Sequence, residues 1–180
     1  MKTEFVDDMM RTVRIWGIAK TIAACSIILP LAAGCVSLSL APQTAEKSAG
    51  VKFDSPSEPF SQIRSTRADG AWRNSVNGNT ISYLSTCNDS ADSSLDSATQ
   101  EMISELEQTQ QIRSSRLPFN GREALDTEVD GRVEGVPTRM RVIVFKRNGC
   151  LFNINYIGLS SSFDDNRSHF DSFLKGFRAP

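Results

Sequence analysis

The chain has 180 residues, with 20 Lys+Arg against 21 Asp+Glu, a single histidine and four cysteines. A net charge of −1 without blocks of like charge argues against electrostatic binding of nucleic acid. One histidine and no Cys-x-x-Cys spacing argue against a zinc site, and neither a metal nor a soluble cofactor is expected.

Residues 1–20 mix Lys2, Arg11, Arg14 and Lys20 with Glu4, Asp7 and Asp8; a start at Met9 or Met10 would leave a purely basic cluster. Residues 21–33 carry no charge. As a helix they would rise about 20 Å, short of the roughly 30 Å hydrocarbon core, so a secretory signal fits better than a permanent span. The run ends on Leu31-Ala32-Ala33-Gly34-Cys35, small residues leading into a cysteine.

That ending resembles the lipobox of bacterial lipoproteins, with Ala32 where the usual pattern has leucine. The resemblance implies removal of residues 1–34, covalent diacylglycerol and an N-acyl chain such as palmitate on Cys35, and attachment to a bilayer through those chains. Two or more acyl chains hold stably where one holds only marginally. Val36 in place of an aspartate, by similarity to enterobacterial lipoproteins, favours the periplasm-facing outer membrane of a Gram-negative cell envelope. An ordinary secretory signal, leaving Cys35 as a free thiol, is the alternative reading.

Residues 36–50 are small and polar without sustained periodicity, and with Cys35 they form the expected lipidated N-terminus and flexible tether (35–50). As coil such a segment spans roughly 20 Å. Residues 51–180 are then one domain. Val51-Lys52-Phe53 and residues 63–66 read as short opening strands. After Ala71-Trp72 and a turn at Asn77-Gly78-Asn79, residues 80–86 alternate with Ile81, Tyr83 and Ser85 on one face. Ser93-x-x-Asp96 is a plausible helix cap, and Leu95, Ala98, Met102, Ile103 and Leu106 follow the helical period over 95–108.

Strands are expected next at 112–117 and 122–129, around the turn Pro118-Phe119-Asn120-Gly121. Residues 138–146 alternate, with Met140, Val142 and Val144 on one side and Arg139, Arg141, Ile143 and Phe145 on the other. Asn148-Gly149 marks a tight hairpin into a strand over 150–158, carrying Phe152, Ile154 and Tyr156 on one face. A last helix over 164–175, opened by Asp164 and left through Gly176, buries Phe170, Phe173, Leu174 and Phe177 with Phe163. The order argues for α+β: an antiparallel sheet of about 5–7 strands packed by two helices.

Cys25 leaves with the signal and Cys35 is lipidated, so Cys87 and Cys150 remain. Each sits at the end of an expected strand, and in an oxidising compartment an even pair points to a disulfide; two buried free thiols are the alternative. Other candidate groups have plain explanations. His169 reads as a solvated helix residue, and a serine hydrolase would need it because Ser85, Ser90, Ser93, Ser94, Ser160, Ser161 and Ser162 lie in no Gly-x-Ser-x-Gly. Asp89, Asp92 and Asp96 lack the rest of a calcium loop. Arg139, Arg141, Lys146 and Arg147 read as a solvated strand edge before an anion-binding strip, and Trp72 as core or rim.

Three phrases, Ile81-Ser-Tyr-Leu-Ser-Thr-Cys87 before a helix, Gly121-Arg-Glu-Ala-Leu125, and Cys150-Leu-Phe-Asn-Ile-Asn-Tyr156 before the phenylalanine-rich helix, resemble the PsbP/Mog-like fold over residues 58–178. The chain also resembles uncharacterised bacterial lipoproteins carrying such domains. The resemblance implies an α/β/α sandwich and a binding or assembly role, as in the photosystem II extrinsic subunit and a nuclear-import factor that binds a small GTPase. It supplies no catalytic residues. The expected function is therefore a non-enzymatic envelope factor with a protein partner, the alternative being a carrier of a small apolar ligand between sheet and helices.

Overall fold

The computed structural model describes residues 46–87 and 93–180; the expected signal, Cys35 and Asp89, Ser90 and Asp92 lie outside them. Seven strands form one antiparallel sheet: β1 (Phe60–Gln62), β2 (Gly70–Asn74), β3 (Thr80–Cys87), β4 (Glu107–Phe119), β5 (Arg122–Val133), β6 (Val136–Arg147) and β7 (Cys150–Leu159). Their order across the sheet is β1-β2-β3-β7-β6-β5-β4. Helix α1 (Leu95–Ile103) carries the chain from β3 to the far edge, and a meander of three hairpins brings it back until β7 docks beside β3. A 3-10 turn (Phe163–Asn166) then leads into α2 (Arg167–Gly176).

The hairpins follow from local chemistry. Asn120-Gly121, Glu134-Gly135 and Asn148-Gly149 each place two consecutive residues at positive φ, the conformation that matches a two-residue connection to the twist of its strands. Alternation then sorts side chains to two faces. Met140, Val142 and Val144 of β6 pack with Val129 and Leu151 under Ala98, Ile103 and Leu106 on the α1 side. Ile143 and Phe145 point the other way, joining Phe152, Ile154, Tyr156, Ile81, Tyr83 and Trp72 under Phe163, Phe170, Phe173 and Phe177. The result is an α/β/α sandwich with a core on each face of the sheet.

The second core is aromatic and filled. Phe145 stacks on Phe152 at 4.9 Å, Tyr156 on Phe170 at 5.3 Å, and Trp72 meets Phe173 at 5.4 Å. Truncating one such ring to alanine typically costs about 3–5 kcal/mol. This packing corrects the carrier reading, because rings occupy the space between sheet and α2 where an apolar ligand was to sit. Polar side chains pin the start of α2: Asn74 and Asn77 each donate to Asn166 Oδ1 at 2.8 Å, and Asn79 does so at 3.2 Å.

Several boundaries differ from those read in the sequence. Residues 46–50, expected to end the tether, are seated on the domain. Cys87 N–H donates to the Glu46 carbonyl at 2.9 Å, Ser48 N–H donates to Ser85 Oγ at 2.9 Å, and Lys47 pairs with Asp69 at 2.9 Å. Helix α1 is capped by Ser94, whose Oγ accepts from Ser97 N–H, and it ends at Ile103. Leu106 is buried from the turn, and β4 begins at Glu107. The opening strand is Phe60–Gln62 instead of 63–66. Gly176 has ordinary φ, and its lack of a side chain instead admits Asp54, whose carboxylate would lie 2.6 Å from an added Cβ.

Register places Cys87 opposite Cys150, and the two are joined in a disulfide between β3 and β7. Closing a loop of sequence separation 63 stabilises by about 2–4 kcal/mol, chiefly by restricting the unfolded chain. Denaturant unfolding with and without reductant should therefore differ by that amount, and non-reducing peptide mapping should recover a Cys87–Cys150 link. Equal midpoints, or free thiols at both positions, would contradict the bond.

Candidate functional site

Helix α2 covers only part of its side of the sheet. On the α2-facing surface of β4, β5 and β6, alternation brings Leu117, Phe119, Ala124, Ile143 and Phe145 to one end and Arg113, Asp126, Glu128, Asp130, Arg139 and Arg141 to the other. An open groove of about 410 Å³ lies over this surface beside α2. Leu117, Pro118, Phe119, Ile143 and Leu174 supply apolar walls, Asp126 and Arg141 reach one side, and Lys175 and Arg178 stand at another. A groove within the usual range of small-ligand sites is thus present on the surface, outside the aromatic core.

The charged end is a ladder of ion pairs between sheet and helix. Arg141 grips Asp126 with two donors at 3.0 and 2.8 Å, and its third nitrogen reaches Asp171 on α2 at 2.8 Å. Arg167 donates twice to Glu128, both at 2.8 Å, and also meets Asp164 at 2.7 Å. Arg139 forks onto Asp130 at 2.8 and 2.9 Å. Arg113, from the edge strand, reaches Asp126 at 3.2 Å and Glu128 at 3.5 Å. Asp126 and Glu128 are 1% and 3% exposed, and forked guanidinium donors take the place of water around both carboxylates. The aromatic core adds its ring faces: Arg141 lies 5.4 Å from the Phe170 centroid and Arg167 5.1 Å from that of Phe163.

These contacts perturb the titrations. Hydrogen bonds from Arg167 hold Glu128 below the usual carboxylate range against the opposing effect of burial. Hydrogen bonds from Arg139 do the same for Asp130. Burial pushes the Tyr156 phenol up to about 12; its hydroxyl donates to the Phe163 carbonyl at 2.7 Å and accepts from Asn79.

The sequence candidates fall apart spatially. Arg139 and Arg141 are not a solvated edge: β6 is flanked by β5 and β7, and both arginines are committed to acids beneath α2. Lys146 points to the opposite face, and Arg147 donates to the carbonyls of Asn120 and Pro180. His169 is half-buried rather than solvated; its ring packs on Phe60 at 5.4 Å, and Nε2 lies 3.2 Å from the Glu58 carbonyl. Ser85 donates to Asp69 at 2.6 Å, Ser94 caps α1, and Ser160 donates to Asp130 at 3.3 Å. Asp96 pairs with Arg116 at 2.5 Å, and Asp164 with Arg167 instead of capping a helix. Trp72 is core. Among the described residues no three His, Cys, Asp or Glu side chains gather as a metal site.

Asp126, Glu128, Arg113 and Arg167 escaped sequence reading. The signal was present, since acids at 126, 128 and 130 recur at the strand period and so do the arginines at 139 and 141. Pairing the two runs required the β5–β6 register.

No protein-family model matches this chain, and no curated protein matches it. Among solved structures it is similar to cyanobacterial PsbP (CyanoP) from Synechocystis, at 13% identity and a TM-score of 0.53, over 73% of this chain and 87% of that one. It is also similar to LpqN of Mycobacterium tuberculosis, described as involved in cell envelope biogenesis, at 13% identity and a TM-score of 0.55, over 77% of this chain and 88% of that one. Identity this low speaks to fold alone, and the fold is PsbP-like.

Glu128 gives a signed pH dependence. Its lowered folded-state pKa contributes stability that is full above its unfolded value of about 4.5 and lost as pH falls through the folded value. Glu128→Gln should lower stability at neutral pH by about 1–3 kcal/mol and flatten the acid limb of the stability profile. A parallel displacement of the whole profile, with an unchanged acid limb, would show that the carboxylate has no such role.

Proposed function

We propose that this protein is a lipid-anchored component of the cell envelope that works by binding another envelope component, with no catalytic step of its own. The observation that carries the reading is Leu31-Ala32-Ala33-Gly34-Cys35 at the end of the uncharged run 21–33. On this reading Cys35 carries the diacylglycerol and N-acyl chains, the bilayer is reached through them, and the periplasm-facing outer membrane is the destination that Val36 favours. The Cys87–Cys150 disulfide supports an oxidising compartment. The description of LpqN as involved in cell envelope biogenesis supports an envelope role, and a PsbP-like domain suits a protein partner.

A second reading keeps the apolar ligand but moves it to the groove beside α2, whose Leu117, Phe119, Ile143 and Leu174 walls would suit a small hydrophobic molecule.

The anchor is tested at one residue. Cys35→Ser should abolish metabolic labelling with a fatty-acid analogue and shift the protein from the membrane fraction to the soluble one. Undiminished labelling and retention would refute the lipidation of Cys35.

A further inference from the structure

We propose that the end of the domain where the N-terminal segment joins it is a docking surface for anionic phospholipid headgroups. Two observations carry this: where residues 46–52 are seated on the sheet, and how cations are distributed between its two ends.

Glu46 bridges to Cys87, and six residues later Lys52 pairs through its backbone with Arg178, donating at 2.9 Å and accepting at 2.7 Å. The N-terminal segment therefore enters at the end of the sheet that holds the Asn148-Gly149 and Asn120-Gly121 turns and the end of α2. Eleven residue steps separate Cys35 from Glu46, a chain length of at most about 40 Å. Strands of β6 length run about 40 Å, so the Glu134-Gly135 turn is held that much farther from the point of attachment. This step rests on the lipid-anchor reading of Cys35.

Charge separates the same two ends. Away from the attachment, Arg139, Arg141 and Arg167 are neutralised by Asp126, Glu128, Asp130, Asp164 and Asp171. The exposed Arg73 and Arg132 there lie on opposite halves of the sheet, with no apolar groove beside them among the described residues. At the attachment end, Lys52, Arg122, Lys175 and Arg178 are all exposed, and none has an ion-pair partner among the described residues. They form one group. Lys52 and Arg178 are backbone neighbours, Arg178 donates to the Lys175 carbonyl at 2.6 Å, and Arg122 faces Phe119 across the β4–β5 turn. Asp54, packed against Gly176, is an acidic neighbour unpaired with any of them. Half-buried Leu117, Phe119 and Leu174 line the groove together with Lys175 and Arg178. Exposed cations around an apolar strip complement the phosphates and upper acyl region of an anionic leaflet, and polybasic segments near a surface gain about five-fold in partitioning per Lys or Arg.

The test is co-flotation of the full chain with vesicles of phosphatidylcholine alone or mixed with phosphatidylglycerol. Binding should rise with phosphatidylglycerol and the increment should vanish at high salt. Lys52→Gln with Lys175→Gln should cut the increment by about 25-fold while leaving phosphatidylcholine binding unchanged. Arg73→Gln, an exposed cation at the opposite end, should change nothing. Equal binding to both vesicle types, an increment indifferent to the double substitution, or an equal loss with Arg73→Gln would overturn the proposal. Repeating the assay with Cys35→Ser separates the two readings: an increment that survives there supports docking whether or not the anchor exists.

Discussion

The fold depends on the pairing of β3 with β7. These strands are the inner members of the two halves of the sheet, and eight consecutive residue pairs, Thr80↔Ile157 through Cys87↔Cys150, join them. Everything between is arranged to return the chain to that position. Helix α1 must carry it to the far edge, and three tight turns must each reverse it without slipping register. A slip of one residue along β7 would turn Phe152, Ile154 and Tyr156 away from α2 and empty the aromatic core. The disulfide closes the same seam at one end, and the Asn79–Tyr156–Asn166 contacts lock it at the other.

Because that pairing spans the whole meander, contacts that decide the architecture are distant in sequence, and this governs what could be read beforehand. The β6–β7 hairpin was legible, since Asn148-Gly149 and the alternating runs on either side are local signals. So was the phenylalanine stripe of α2, whose rings all sit on one helical face. The boundary between α1 and β4 was not. β4 is an edge strand, almost wholly exposed along its length, so Glu107-Gln-Thr-Gln-Gln-Ile-Arg shows no buried alternation and its first residues extend a helical pattern equally well. The seating of residues 46–50 was hidden for a similar reason, being made by backbone bonds to β3 that leave no hydrophobic trace.

The candidate site shows the same division. A charged residue in a strand is ordinarily read as solvent-facing, and Arg139 and Arg141 invited that reading. In the fold they lie on a face that α2 covers, where acids of β5 meet them at matching intervals. Burial this deep is costly for unpaired ions, so the ladder stabilises only as a set, and it ties α2 to β5 and β6 through Arg167–Glu128 and Arg141–Asp171. The cationic group at the other end is assembled from three separate stretches of chain, at 52, at 122 and at 175–178. No local motif could announce it.

The cysteines tie these features to the proposed address. Pairing Cys87 with Cys150 uses two of the four. Cys25 lies within the uncharged run and would depart with it. If Cys35 were merely exported, a mature chain in an oxidising compartment would carry one thiol beyond the Cys87–Cys150 pair. Its thiolate could attack the disulfide, and exchange would loosen the strand pairing on which the fold rests. Acylation removes that nucleophile. On the proposed reading, lipidation of Cys35 thus does two things at once: it holds the cationic end of the domain near a bilayer, and it leaves the β3–β7 disulfide with no competing thiol in its own chain.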